Sequence, residues 1–236
     1  MIRASRLVAE VLCDLKGRVK AGVATVELDQ VAKKKIVKEG CIPAFLGYRG
    51  FPATLCVSIN DEVVHGIPSK RVIKEGDIVG LDLGVIYDGF YGDAAITVPV
   101  GKIDPKAFRL MEVTHEALYA GIREAQHGAR LSNISHAIQT HAESAGYSLV
   151  TAFVGHGIGR ALHEDPPVPN FGPPEQGARL REGMVLAIEP MVNMGKSDVR
   201  ILEDKWTAVT TDGSLSAHFE HTVAITKDGP KILSVI

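Results

Sequence analysis

The chain has 236 residues, 45% hydrophobic and 23% charged, with a formal net charge of −2, so it can bury a full core and carries no overall basic footprint for nucleic acid. Its three cysteines (Cys13, Cys41 and Cys56) form no CxxC pair and leave an odd one out, which argues for a reducing compartment without a disulfide frame. No apolar run reaches the ~18 residues of a membrane span, and the opening MIRASRLVAEVL is interrupted by Arg6 and Glu10 in a way no signal peptide is, so the expected location is cytoplasmic.

Apolar residues at Ala4, Leu7, Val8, Val11, Leu12, Leu15 and Val19 have helical spacing with one face turned inward. A second helix is predicted from about Val26 to Lys38, stopped by Gly40. Segments 53–65 and 78–98 then turn to β-branched and aromatic residues with turn signals. Asp104-Pro105 opens a third helix running to about His127, and Ser132 is placed to cap a fourth that ends at Gly146. Strands are expected again at 148–155, 183–192, 199–203, 205–210 and 216–226. Helix, helix, strands therefore occurs twice, with a boundary near 100–105. Such grouping predicts an α+β fold in which helices cover one face of a largely antiparallel sheet. Lys33-Lys34-Lys35 reads as a solvated helix face.

Asp88-Gly89 is a strong two-residue hairpin signal. Counting outward from it, Tyr87 pairs with Phe90 and Asp82 with Ala95. Asp93 then shares a face with Asp82, as a diagonal neighbour roughly 7–8 Å away at the backbone. Two exposed aspartates on a wet sheet face are the simplest alternative. Ile78, Val79, Leu81, Leu83 and Ala94–Ile96 are apolar on both parities, however, and a sheet dry on both faces does not hold two like charges together without a cation. Glu189 in MVLAIEPMV, Glu220 in SAHFEHTVAIT and His156 at the end of LVTAFVGHG occupy similar apolar strand settings. Four carboxylates would be balanced by two divalent cations, and oxygen ligands with one imidazole suit Mn, Fe, Co or Zn. HExxH is absent.

Together, VVHGIP (63–68), LDLG (81–84), YGDAA (91–95), GHGIGRALHEDP (155–166), AIEPM (187–191) and SLSAHFEHT (214–222) resemble the methionine aminopeptidase family, bacterial type I branch, in order and over almost the whole chain. The resemblance implies the pseudo-twofold pita-bread (creatinase/aminopeptidase) α+β fold, a single domain over 1–236 with halves of about 1–103 and 104–236. It implies a dinuclear centre in which Asp82, Asp93, His156, Glu189 and Glu220 bind two divalent ions, with Co, Mn, Fe, Zn and Ni all admissible, and a monovalent cation near Asn60 and Ser216. Glu189 would also move the proton from water to the leaving nitrogen. His163 would stabilise the tetrahedral intermediate, and His65 would contact substrate or the leaving amine across the pocket. Tyr48, Phe51, Cys56 and Trp206 would wall the methionine slot, with Phe45 and Leu162 near them; from the residues alone Phe51 and Cys56 read as ordinary core. One of His218 and His221, which flank Glu220, is expected to support the ligands. His115, His136 and His141 are expected on helices without a ligand role.

The expected partners are N-terminal Met peptides and nascent chains, with ribosome contact, no nucleic-acid specificity, no membrane and a monomeric state. Two rivals stand beside this reading: an Xaa-Pro aminopeptidase of the same fold, which usually carries a large extra N-terminal domain, and a catalytically silent binding relative, which would have lost ligands.

Overall fold

The computed structural model describes Met1–Ile236, with helices α1 (Ile2–Lys16), α2 (Thr25–Lys38), α3 (Pro105–Glu124) and α4 (Ser132–Ser144). The first-half strands are β1 (Ile42–Pro43), β2 (Leu55–Ile59), β3 (Glu62–Val64), β4 (Ile78–Tyr87) and β5 (Phe90–Pro99). There follow β6 (Ser148–Leu149), β7 (Gly155–Gly157), β8 (Glu164–Val168), β9 (Val185–Ile188) and β10 (Met191–Asn193). The last are β11 (Val199–Ile201), β12 (Ala208–Thr210), β13 (Ser216–His218), β14 (Glu220–Thr226) and β15 (Gly229–Ile232).

Asp104 caps α3 as expected, its carboxylate accepting from the Lys106 N–H at 2.7 Å with Pro105 in the first turn. Ser132 does not cap α4. Leu131 stands at the cap position, and the Ser132 hydroxyl accepts from the Gln176 N–H at 2.7 Å, because the loop around Gln176 crosses the helix start and takes it. α3 stops at Glu124, short of His127, as Ala125 leaves helical geometry (φ −75°, ψ 50°).

Several predicted strands are divided. Segment 53–65 turns at Asn60, which is left-handed (φ 61°), to give β2 and β3. Segment 148–155 bends into β6 and β7, Pro190 separates β9 from β10, and Phe219 separates β13 from β14. β8 and β15 carry no clear alternation; the proline-rich EDPPV of β8 conceals an edge strand.

The main sheet has nine strands in the order β1-β4-β5-β14-β9-β7-β8, with β2 on β4 and β15 on β14. Every pair is antiparallel. One face is packed against helices. Leu81, Leu83, Val85, Ala94 and Val98 meet Leu7, Val8, Val11 and Leu15 of α1 in one core. Leu186, Ile188, Val223 and Ile225 meet Leu110, Leu118, Ile134 and Ile138 of α3 and α4 in a second. Each such valine, leucine or isoleucine contributes roughly 1.5–3 kcal/mol by burial. Side chains of the opposite parity point away from the helices, and every predicted ligand has that parity.

Candidate metal centre and substrate pocket

The β4–β5 hairpin has the expected register: Tyr87 opposes Phe90, Asp82 opposes Ala95 and Gly84 opposes Asp93. Asp88 (φ 50°) and Gly89 (φ 72°) both take the left-handed turn conformation. Register then carries the site across the sheet in two adjacent rows. In one, Cys56 opposes Asp82, Asp82 opposes Ala95 and Ala95 opposes Glu220. His221 opposes Ile188, so Glu220 continues this row toward Glu189, the residue after β9. In the other row Thr222 and His156 both oppose Ala187, while Thr222 is bonded to Asp93. Directly opposed residues share a face, so all five predicted ligands project to the same side. Ala95 and Ala187 stand between ligands in their rows and leave the space above the sheet to them.

Ligand atoms of Asp93, His156 and Glu220 lie within 4.8 Å of one another. Glu189 Oε1 is 3.5 Å from His156 Nε2, and Asp82 lines the same cavity outside that tight group. His156 Nδ1 is 2.9 Å from the Gly157 carbonyl oxygen. A carbonyl only accepts, so Nδ1 carries the proton and Nε2 keeps a free lone pair toward the carboxylates.

The glycines on either side of His156 answer to close packing. A Cβ on Gly155 would lie 2.3 Å from the Ala187 carbonyl oxygen, and one on Gly157 2.3 Å from that of Asp165. Only glycine lets β7 approach its neighbours this closely.

Burial pushes the Asp82 carboxyl up to about 7. Burial, then the charge of Asp82, raises Asp93 well above the usual range. Glu189 and Glu220 are raised in the same way, first by burial and then by neighbouring carboxylates. Asp82 Oδ1, Asp93 Oδ1, Glu220 Oε1 and His218 Nε2 are buried without a hydrogen-bond partner. Unpaired buried oxygens of this kind are costly, and divalent cations satisfy them and remove the repulsion together. The donor set therefore fits hard or borderline divalent ions.

These carboxylates form the floor of a cavity of about 290 Å³ whose walls include Phe45, Tyr48, Phe51, Cys56, His65, Leu162, His163 and Trp206. All eleven predicted catalytic, pocket and ligand residues thus meet in one place. Phe51 and Trp206 pack edge to face with centroids 5.1 Å apart, and Tyr48 stacks on His163 at 5.4 Å with its hydroxyl 2.8 Å from His163 Nδ1. His65 is left-handed (φ 61°) and packs against Phe153 and Trp206, and burial holds its imidazole down at about 4. Asn60 and Ser216 meet through a 2.9 Å backbone bond from the Ser216 N–H to the Asn60 carbonyl, while the Asn60 side chain bonds Asp77 and the Ile78 N–H.

Sequence reasoning missed Arg49 and Phe153 as pocket walls. Phe153, three residues before His156, carried a weak signal. The pair flanking Glu220 is resolved by parity: His218 Nε2 lies 3.8 Å from Glu189 Oε2, whereas His221 faces the helices, 3.3 Å from the Tyr119 hydroxyl and 2.8 Å from Ser234 Oγ. His141 pairs with Glu116 on the surface of α4. A larger hollow of about 620 Å³ opens on the helical side, lined by residues such as Leu12, Phe108 and Met111; it shares only Glu220 with the ligand set.

The model of metallopeptidase family M24 matches residues 1–227. The chain belongs to this family. Within it the chain is 54% identical to methionine aminopeptidase 1 of Bacillus subtilis, over 99% of its own length and 94% of that protein. It is 46% identical to methionine aminopeptidase 1 of Mycobacterium tuberculosis, over 100% of its length and 91% of that protein. The crystal structure of methionine aminopeptidase from Thermotoga maritima superposes with a TM-score of 0.99 at 46% identity, covering 100% of this chain and 95% of that one. Prolidase from Pyrococcus furiosus shares the fold (TM-score 0.81) at 22% identity, and this chain spans 63% of it. The pita-bread α+β fold of these metallopeptidases is therefore that of the chain. The Xaa-Pro alternative is overturned by the full-length identity to methionine aminopeptidases, and the silent-relative alternative falls with it. No helix of this metallopeptidase is long and apolar enough to cross a membrane.

Proposed function

We propose that this metallopeptidase removes the N-terminal methionine from peptides and nascent chains, with Asp82, Asp93, His156, Glu189 and Glu220 holding two divalent ions (Mn, Fe, Co, Zn or Ni). The observation that carries the reading is the convergence of unpartnered buried carboxylates and the His156 lone pair beneath an aromatic slot. Bound there, the ions would supply a lowered water pKa and polarisation of the scissile carbonyl. The acidic floor, with Asp82, receives the substrate's free amine, which explains the restriction to chain ends. Tyr48, Phe51, Cys56 and Trp206, with Phe45 and Leu162, close on the methionine side chain, whose sulfur gains from aromatic neighbours.

Glu189 accepts the proton from water and passes it to the leaving nitrogen. Its position at the cavity floor, with Oε1 3.5 Å from His156 Nε2, puts it beside the bond that is cut. With the Tyr48 hydroxyl donating to His163 Nδ1, His163 Nε2–H is the donor aimed at the developing oxyanion. His65, neutral near pH 7, contacts the leaving amine. The two halves, about 1–103 and 104–236, act as one domain with the site between them. Nascent chains as substrates place the enzyme in the cytoplasm beside the ribosome, working as a monomer.

The test is chelation followed by readdition of single metals, with methionine release measured from Met-Gly-Met-Met and Met-Lys peptides and an Xaa-Pro peptide as control. Metal-dependent release from the peptide with the small second residue is expected. Activity that survives complete metal removal would overturn the assignment.

A further inference from the structure

A substrate enters this cavity amino end first, because the acidic floor and the aromatic slot are its closed end. The residues after the scissile bond must therefore leave through the mouth. Among the residues lining the cavity only Arg49 and His163 are exposed, and Arg49 is its only lysine or arginine. Arg49 has no carboxylate partner; its guanidinium carbon lies 5.4 Å from the centre of the Tyr48 ring.

The loop that carries Arg49 is closely tied. The Tyr48 N–H donates to the Phe45 carbonyl, the Gly50 N–H to that of Gly47, and the Gly47 and Phe51 N–H groups to Phe51 and Tyr48 in turn. Gly47, Arg49 and Gly50 are all left-handed (φ 85°, 48° and 90°). The left-handed backbone at Arg49, where glycine is the easier choice, is held by these bonds and sets where its side chain leaves the rim.

The path outward is a stack of three groups. Tyr48 lies 5.4 Å from His163, and Arg49 lies 5.4 Å from Tyr48. An extended chain advances roughly 3.3–3.6 Å per residue. With the second residue beside His163 at the scissile bond, the third is the first to run alongside Arg49. An unpaired cation above a cavity whose floor is acidic would draw one carboxylate at the exit, while the floor repels a polyanion that tries to enter.

We propose that Arg49 is a specificity residue that reads a carboxylate at the substrate's third residue, carried by an acidic side chain or, in a tripeptide, by the chain terminus. This rests on the methionine-removal reading above.

The test uses the metal-loaded enzyme and amidated peptides Met-Ala-Xaa-Ser with Asp, Asn or Lys as Xaa, together with Met-Ala-Ser as free acid and as amide. The wild type is expected to rank Asp over Asn over Lys in kcat/KM, with about a two- to fivefold step from Asp to Asn at low salt that shrinks at high salt. Arg49→Gln is expected to level the series, and Arg49→Glu to reverse it, each read as the Asp-to-Asn and Lys-to-Asn ratios of kcat/KM within one protein, so that any change common to all peptides cancels. The tripeptide pair reports the terminal carboxylate separately from the side chain. An unchanged ranking in Arg49→Glu, or no ranking in the wild type in either arm, would overturn the proposal. Failure to release methionine from the neutral peptide would overturn both it and the reading on which it rests.

Discussion

Thr222 and Asp93 are joined twice across the seam between β14 and β5. The Thr222 hydroxyl donates to the Asp93 carbonyl at 2.6 Å and accepts from the Asp93 N–H at 3.0 Å. The same device recurs four residues further along β5, where the Thr97 hydroxyl donates to the His218 carbonyl at 2.8 Å and accepts from its N–H at 3.0 Å. Between them Ala95 opposes Glu220. A hydroxyl thus stands in for a direct backbone bond at either end of the seam.

Thr222→Val keeps the shape and removes both bonds, leaving a buried N–H and C=O of Asp93 unpaired. The expected loss is about 1–3 kcal/mol of unfolding free energy, with weakened metal binding, measured by denaturant unfolding and by metal titration. Unchanged stability and affinity would show that the hydroxyl does not set the seam.

Burial holds His65, His156 and His221 at about 4 and His218 at about 3. These values lie below the unfolded value near 6.5, so the unfolded chain binds more protons between the two. Their contribution to stability is full above about pH 6.5 and is lost as pH falls toward 4. The carboxylates behave oppositely. Asp82 is raised to about 7, so its contribution is full below its unfolded value near 3.8 and is lost as pH rises through about 7. Metal binding offsets that second loss by displacing protons from the carboxylates. The rise in Tm on adding Mn or Co is therefore expected to be small near about pH 5 and to grow toward neutrality, with proton release seen in calorimetry. A rise independent of pH would count against carboxylate ligation.

His163 is exposed at the pocket rim with its Nδ1 2.8 Å from the Tyr48 hydroxyl, and the role proposed for it is donation without ligation. His163→Ala should lower kcat by about 10²–10³ while the metal content stays at the wild-type value. Tyr48→Phe should cost less, since it removes only the group that sets the tautomer. Loss of metal from His163→Ala, measured by elemental analysis, would make His163 a ligand instead.

Gly155→Ala would drive a methyl to within 2.3 Å of the Ala187 carbonyl, a backbone atom that cannot turn aside. β7 must then move from β9 and take His156 with it. A loss of about 1–3 kcal/mol is expected, together with weaker metal binding. Gly17→Ala, whose added methyl would meet nothing nearer than 3.5 Å, is the matched control and should leave Tm close to wild type.

The local elements were legible in the sequence because their causes are local. Asp88-Gly89 set the hairpin and its register, which placed Asp82 and Asp93 on one face before any tertiary contact was known. Heptad-like apolar spacing marked the inward side of α1, and Asp104-Pro105 marked the start of α3. The five proposed ligands and the pocket residues were named through the resemblance to methionine aminopeptidases, which rests on motifs spread between residues 63 and 222. What no local signal held is the strand order. Only the placement of β14 beside β5, and of β9 and β7 beyond it, brings Glu220, Glu189 and His156 into line with the aspartates. The same packing decided that His218 faces the carboxylates and His221 the helices, and that the Ser132 hydroxyl serves a crossing loop. Those outcomes depend on contacts between residues far apart in the chain, which are settled when the two helix layers bury the back of the sheet together.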